Sequence, residues 1–137
     1  MIVSGQKRLE IMQMPIQIIR KEQIAGTTRH VQNETYETYR FLLDSDHADV
    51  TVTDILLFPN IEETYGYENH IEIAYCIEGN AELIDLSNDQ TYSITPGTLW
   101  IAKQGDKFKF RASVSTRLIC VFSPPFSGHE TGFAGDQ

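Results

Sequence analysis

The stretch YGYENHIEIAYCIEG, residues 65–79, places a phenol, an imidazole and a carboxyl close together as Tyr67, His70 and Glu72. All three groups can hold or move a proton. His70 and Glu72 have one residue between them, and alternate residues of a strand share a face, so both would point the same way. The residues that follow are largely apolar, and a carboxyl among apolar side chains has its charged form disfavoured and its pKa raised. Glu72 is therefore the candidate general acid and base, with His70 as its proton partner and Tyr67 as a hydrogen-bond donor. The same residues would also suit a closed internal network without chemistry, because buried polar groups are paired whether or not they catalyse. They make a poor metal site, since a transition metal normally takes three or more N, O or S donors.

Strands must carry these groups. From residue 50 onward the runs VTVTDILLF, IEIAYCIEG, NAELIDL, QTYSI, TLWIAK, KFKFRA and TRLICVF are short and rich in β-branched and aromatic residues. Between them EGN, SNDQ, TPG, KQGD and SPPFSG supply the positive or fixed φ that turns need. Short strands with regular turns indicate an all-β sandwich or barrel. TYETYRFLL leads into a turn-like DSDHAD, and a short N-terminal helix is expected only near IIRKEQIAG. The acidic NIEETYGYEN reads as a solvated loop, and the tail GHETGFAGDQ as loosely ordered. Residues 1–13 read as a disordered extension, and 14–137 as one domain.

Composition narrows the partners. A net charge of −8 over 137 residues argues against nucleic acid and anionic membrane, both of which reward clustered Lys and Arg. No apolar run is long enough to span a bilayer and no secretion signal is visible, so the expectation is a cytoplasmic protein with a small-molecule substrate. Cys76 and Cys120 lie inside apolar strand patterns, where a free cysteine packs as a small hydrophobe. By alternation Cys120 would point inward with Leu118 and Phe122.

Spacing adds a second layer. Glu72 and Gly79, then Gly97 and Gly105, match the glutamate and glycine spacings of the two signatures of cupin-type jelly-roll barrels. The histidines of those signatures fall on other residue types, the last of them on Phe108. YENHIEIAYCIEGNAELIDL, PGTLWIA and CVFSPPFSGHE resemble ectoine synthase, an iron-dependent cupin family that closes a ring by eliminating water from an acetylated diaminobutyrate. The resemblance runs from about Thr28 to Glu130 and implies a cupin barrel, a homodimer, and an active site inside the barrel.

Carried over by position, the resemblance makes Glu72 the retained family metal ligand, with Trp100 in place of a tyrosine ligand and Phe108 in place of a histidine ligand. It also implies substrate contacts at Arg40, Tyr67, His70, Cys120, Phe122, Pro124 and Glu130, while Tyr36 stands for a tryptophan, Ile55 for a threonine and Gly132 for a histidine. Trp100 and Phe108 exchange metal donors for aromatic faces that would stack on a flat or unsaturated ligand. The expected function is a metal-independent cyclase, dehydratase or isomerase acting on a small organic acid or biosynthetic intermediate, with no cofactor. Iron-dependent ectoine synthesis by a rearranged ligand set and a non-catalytic binding barrel are the alternatives.

Overall fold

The computed structural model describes residues 15–134, so the extension expected at residues 1–13 lies outside the described residues. A one-turn helix, α1 (Lys21–Ile24), precedes the strands β1 (His30–Gln32), β2 (Tyr36–Arg40) and β3 (Thr51–Leu57), with a 3₁₀ turn at Asp44–Asp46. Next come β4 (Ile61–Gly66), β5 (Ile71–Glu78), β6 (Ala81–Asp85) and β7 (Gln90–Ile94). The last three are β8 (Leu99–Ala102), β9 (Lys107–Ala112) and β10 (Thr116–Ser123). This is the all-β jelly roll with a short N-terminal helix that the sequence indicates.

Two antiparallel sheets form, one in the order β1-β2-β3-β10-β5-β8 and the other β4-β9-β6-β7. Within the larger sheet β10 pairs with β3 on one side and β5 on the other, so Cys120 stands beside both Thr53 and Ala74. Its pattern of alternating burial puts Leu118, Cys120 and Phe122 inward, as the two-residue period requires. The core lies between the sheets, around Ala74, Cys76, Ile94 and Phe110. The helix is tied to the outside of the larger sheet by buried Ile24 and by Lys21 Nζ, 3.3 Å from Asp54 Oδ2. Among the described residues no helix is long and apolar enough to cross a membrane.

Two segments depart from the sequence expectation. The acidic stretch read as a solvated loop contains β4, which turns Ile61 and Tyr65 inward and Glu62 outward toward Arg111 of β9, 3.4 Å away. Glu62 sits on the outer face beside Lys109 and Arg111 of β9, so charge and strand structure coexist. The tail read as loose is hydrogen-bonded through residue 134: Gly66 N–H donates to the Gly132 carbonyl at 3.0 Å, and Ala134 N–H to that of Thr64 at 3.0 Å. β4 is an edge strand with unpaired backbone groups, and the tail satisfies them.

Candidate functional site

Alternation in the strands builds a cavity between the sheets. β2 contributes Tyr36, Thr38 and Arg40, β3 contributes Thr53, Ile55 and Leu57, and β10 contributes Leu118, Cys120 and Phe122. Glu72 of β5 and Trp100 of β8 join them, with Phe108 and Phe110 of β9 and the two tyrosines Tyr65 and Tyr67. Phe126 and Thr131 close it from the C-terminal segment around a volume of about 50 Å³. Catalytic candidates Glu72 and Tyr67 therefore meet Tyr36, Arg40, Trp100, Phe108, Cys120 and Phe122 of the residues expected to contact substrate, whereas Pro124 and Glu130 do not line the cavity. Thr38, Thr53, Leu57, Tyr65, Phe110, Phe126 and Thr131 were not singled out from sequence. The first five lie two residues from a residue that was, so the strand period itself was the missed signal.

Among the described residues Glu72 is the only carboxyl lining this cavity. It is buried, and its Oε1 has no hydrogen-bond partner. Burial pushes its pKa up to about 7, against the opposing effect of a hydrogen bond from the Cys120 thiol. The same burial, together with the charge of Glu72, holds the Cys120 thiol well above its ordinary value, so this sulfur stays protonated at neutral pH. Tyr67 is likewise raised, first by burial and then by Glu72, and keeps its phenolic proton. The site thus offers one group that titrates near neutrality among donors that do not.

His70 takes a different position from the one its spacing suggests. No hydrogen bond joins it to Glu72. Its Nδ1 lies 2.7 Å from the carbonyl oxygen of Pro124, which requires the proton on Nδ1, and its Nε2 lies 3.5 Å from Glu130 Oε2. His70 is buried against Tyr67 and Phe126, edge to face with both rings, and does not line the cavity. The physical reason is the C-terminal segment, which brings acceptors to both ring nitrogens.

Glu130 also departs from expectation. Its carboxylate accepts the N–H groups of Ser127, Gly128 and His129, each at 3.0 Å, and so shapes its own turn instead of lining the cavity. Arg40 does reach the cavity. It is buried, donates from Nη1 to the Gly128 carbonyl at 2.7 Å and from Nη2 to the Glu130 carbonyl, and lies against the Phe126 ring. Tyr36 reaches the same segment, its hydroxyl donating to the Thr131 carbonyl at 2.9 Å.

Comparison with known proteins locates this arrangement. A family model described as Ectoine synthase matches residues 16–134. The chain belongs to that family. It is 36% identical over 110 residues to the L-ectoine synthase of Oceanobacillus iheyensis, covering 80% of this chain and 86% of that protein. Identity to the L-ectoine synthase of Halalkalibacterium halodurans is 30% over 116 residues, 85% of this chain and 90% of the other. Among solved structures, ectoine synthase from P. lautus superposes with a TM-score of 0.78 at 33% identity, covering 82% of this chain and 81% of that one. The polyketide cyclase RemF from Streptomyces resistomycificus shares the fold, with a TM-score of 0.64 at 17% identity over 80% of each chain. The chain is an ectoine synthase-like cupin.

The family resemblance implies iron, held at the positions of Glu72, Trp100 and Phe108. All three side chains line the one cavity, so the structure brings those positions together. The donors do not fit the metal: an indole and a phenyl ring supply no lone pair for coordination, which leaves one carboxylate. Among the described residues no group of three or more His, Cys, Asp or Glu side chains is placed to hold a metal ion. His70, the nearest histidine in sequence, is engaged with Pro124 and Glu130.

Proposed function

We propose that this chain is a metal-independent ectoine synthase-like enzyme that closes a ring, with loss of water, on a small organic acid carrying an amine and an acyl group. The observation that carries this reading is Glu72: a buried carboxyl titrating near pH 7, with one oxygen unpaired, facing Trp100 and Phe108 where the family places metal donors. Protonated Glu72 gives its proton to the acyl oxygen as the amine attacks, and the resulting carboxylate takes a proton from the attacking nitrogen. A second round passes the other nitrogen proton to the departing hydroxyl. Both nitrogen hydrogens leave with the acyl oxygen as water, and Glu72 returns to its starting state. A pKa near the working pH suits one group to both directions of transfer.

The other residues supply binding and shape. Arg40 commits Nη1 and Nη2 to carbonyls yet keeps further N–H groups and its charge for a substrate carboxylate. Tyr67 remains a donor, and the aromatic wall keeps water from reversing the condensation. His70 acts in this reading by fixing the C-terminal segment.

The names of the relatives favour a second reading, iron-dependent ectoine synthesis. One assay separates the two. Acetylated diaminobutyrate is incubated with wild type and with Glu72→Gln, under chelator and with ferrous iron, and the product of water loss is followed by mass. Turnover under chelator that Glu72→Gln abolishes is the expected result. Turnover only with ferrous iron would establish the second reading, and binding without turnover under either condition would leave a non-catalytic barrel.

A further inference from the structure

Trp100 carries a polar group that the ring-closing reading leaves unused. It is the only tryptophan of the chain. In the pairing of β5 with β8, Trp100 stands opposite Ala74 and Ala102 opposite Glu72. Trp100 and Glu72 are therefore diagonal neighbours on the inner face of the sheet, and such neighbours are roughly 7–8 Å apart. The indole is held in place by Phe110 at 5.8 Å and Phe108 at 6.2 Å between ring centroids. Trp100 and Phe108 also line a groove on their far side, so together they form the wall between the cavity and that groove.

The Trp100 Nε1–H is buried without a hydrogen-bond partner, as are Oε1 of Glu72, Oγ1 of Thr38 and the hydroxyl of Tyr65, whose residues line the same cavity. Protein interiors pair nearly all such groups, so four orphans around one cavity point to a ligand that completes them. An indole N–H can only donate. Its partner must be an acceptor.

We propose that the indole N–H of Trp100 holds the acyl oxygen of the bound substrate beside Glu72. The proposal rests on the ring-closing reading and deepens it, because the substrate must then present a carbonyl oxygen, not an amine, to the Trp100 wall. A donor fixed at that oxygen stabilises the negative charge that grows there as the amine attacks. A ligand lacking the oxygen leaves the N–H buried and unpaired and is rejected.

A single tryptophan gives a single indole signal in the ¹H–¹⁵N spectrum, which makes the test direct. Acetylated diaminobutyrate is titrated into wild type, with unacetylated diaminobutyrate as control, and affinity is read in parallel by calorimetry. The expected result is a downfield shift of the indole proton with the acetylated compound alone. Trp100→Phe should bind it roughly 10-fold more weakly and melt no lower than wild type, since the substitution removes an orphaned donor while keeping an aromatic ring. An unmoved indole signal on a ligand that calorimetry shows to be bound overturns the inference, as does equal affinity of Trp100→Phe. Failure of wild type to bind the acetylated compound removes the ring-closing reading itself, and this inference with it.

Discussion

His70 Nε2 stands 3.5 Å from Glu130 Oε2, and through this contact the residue just before β5 is tied to the C-terminal segment. Pro124 holds the other ring nitrogen, so His70 spends both on one segment. The carboxyl two residues on, Glu72, faces the cavity with an unpaired oxygen. Two neighbours in sequence thus serve two different parts of the molecule.

Glu72 should impose its own pH dependence on stability. Its folded pKa of about 7 lies above the ordinary 4.5, so the folded state binds the proton more tightly than the unfolded state. Stability from this group is full below the ordinary value and is lost as pH rises toward 7, a difference of roughly 3 kcal/mol. Glu72→Gln removes that loss. Thermal melts from pH 4.5 to 8 should show the variant gaining on wild type up to about pH 7 and level above it; a constant gap would contradict the raised pKa.

Glu130 has the opposite sign. Burial disfavours its ionised form, but the backbone N–H groups of Ser127 and Gly128 and the nearby His70 together hold its pKa below the usual carboxylate value. Its contribution is present above the ordinary value and lost as pH falls through the folded one. Glu130→Ala strands the donors of the turn at a cost of about 1–3 kcal/mol. Hydrogen exchange should accelerate in residues 127–133 and leave β10 unchanged.

Gly132 is constrained by Tyr67. Its φ is +85°, and a Cβ there would collide with the Tyr67 hydroxyl and come within 3.0 Å of Tyr67 Cζ. Gly132→Ala should cost about 1–3 kcal/mol from backbone strain alone, with the collision adding to it. Adding Tyr67→Phe should recover part of the loss in melting temperature, because it removes the atom met first. A histidine at this position, which the family resemblance implies, would meet Tyr67 as placed here.

Iron binding should follow the donor set. Wild type incubated with ferrous iron and desalted is expected to retain far less than one equivalent by elemental analysis. The double substitution Trp100→Tyr and Phe108→His restores two donors beside Glu72 and should raise iron retention toward stoichiometric. Stoichiometric iron in wild type would mean that donors other than these hold it.

Seven of the ten strands can be read directly from β-rich runs between turns, because each is short, rich in β-branched and aromatic residues and ends at a residue that favours a turn. β1 is three residues long and leaves too little pattern to read, and the acidic outer face of β4 hid a strand whose inner face is Ile61 and Tyr65. Glu72 was legible as a buried carboxyl for the same local reason that its pKa rises. The ties of Arg40, Tyr36 and His70 to the C-terminal segment were not legible, since their partners are 88, 95 and 54 residues away and are backbone carbonyls, which every residue carries.

What the sequence alone determined is therefore local: strand faces, turns, the aromatic identity of positions 100 and 108, and a carboxyl in an apolar strand. Only the tertiary structure decided which of these meet. β10 pairing between β3 and β5 places Cys120 against Glu72, and β8 pairing with β5 sets Trp100 diagonal to it. A C-terminal segment folding back onto β4 then draws His70 and Glu130 together. Side-chain direction follows from a two-residue period that any strand displays, whereas partnership depends on register between distant strands, which no single strand records.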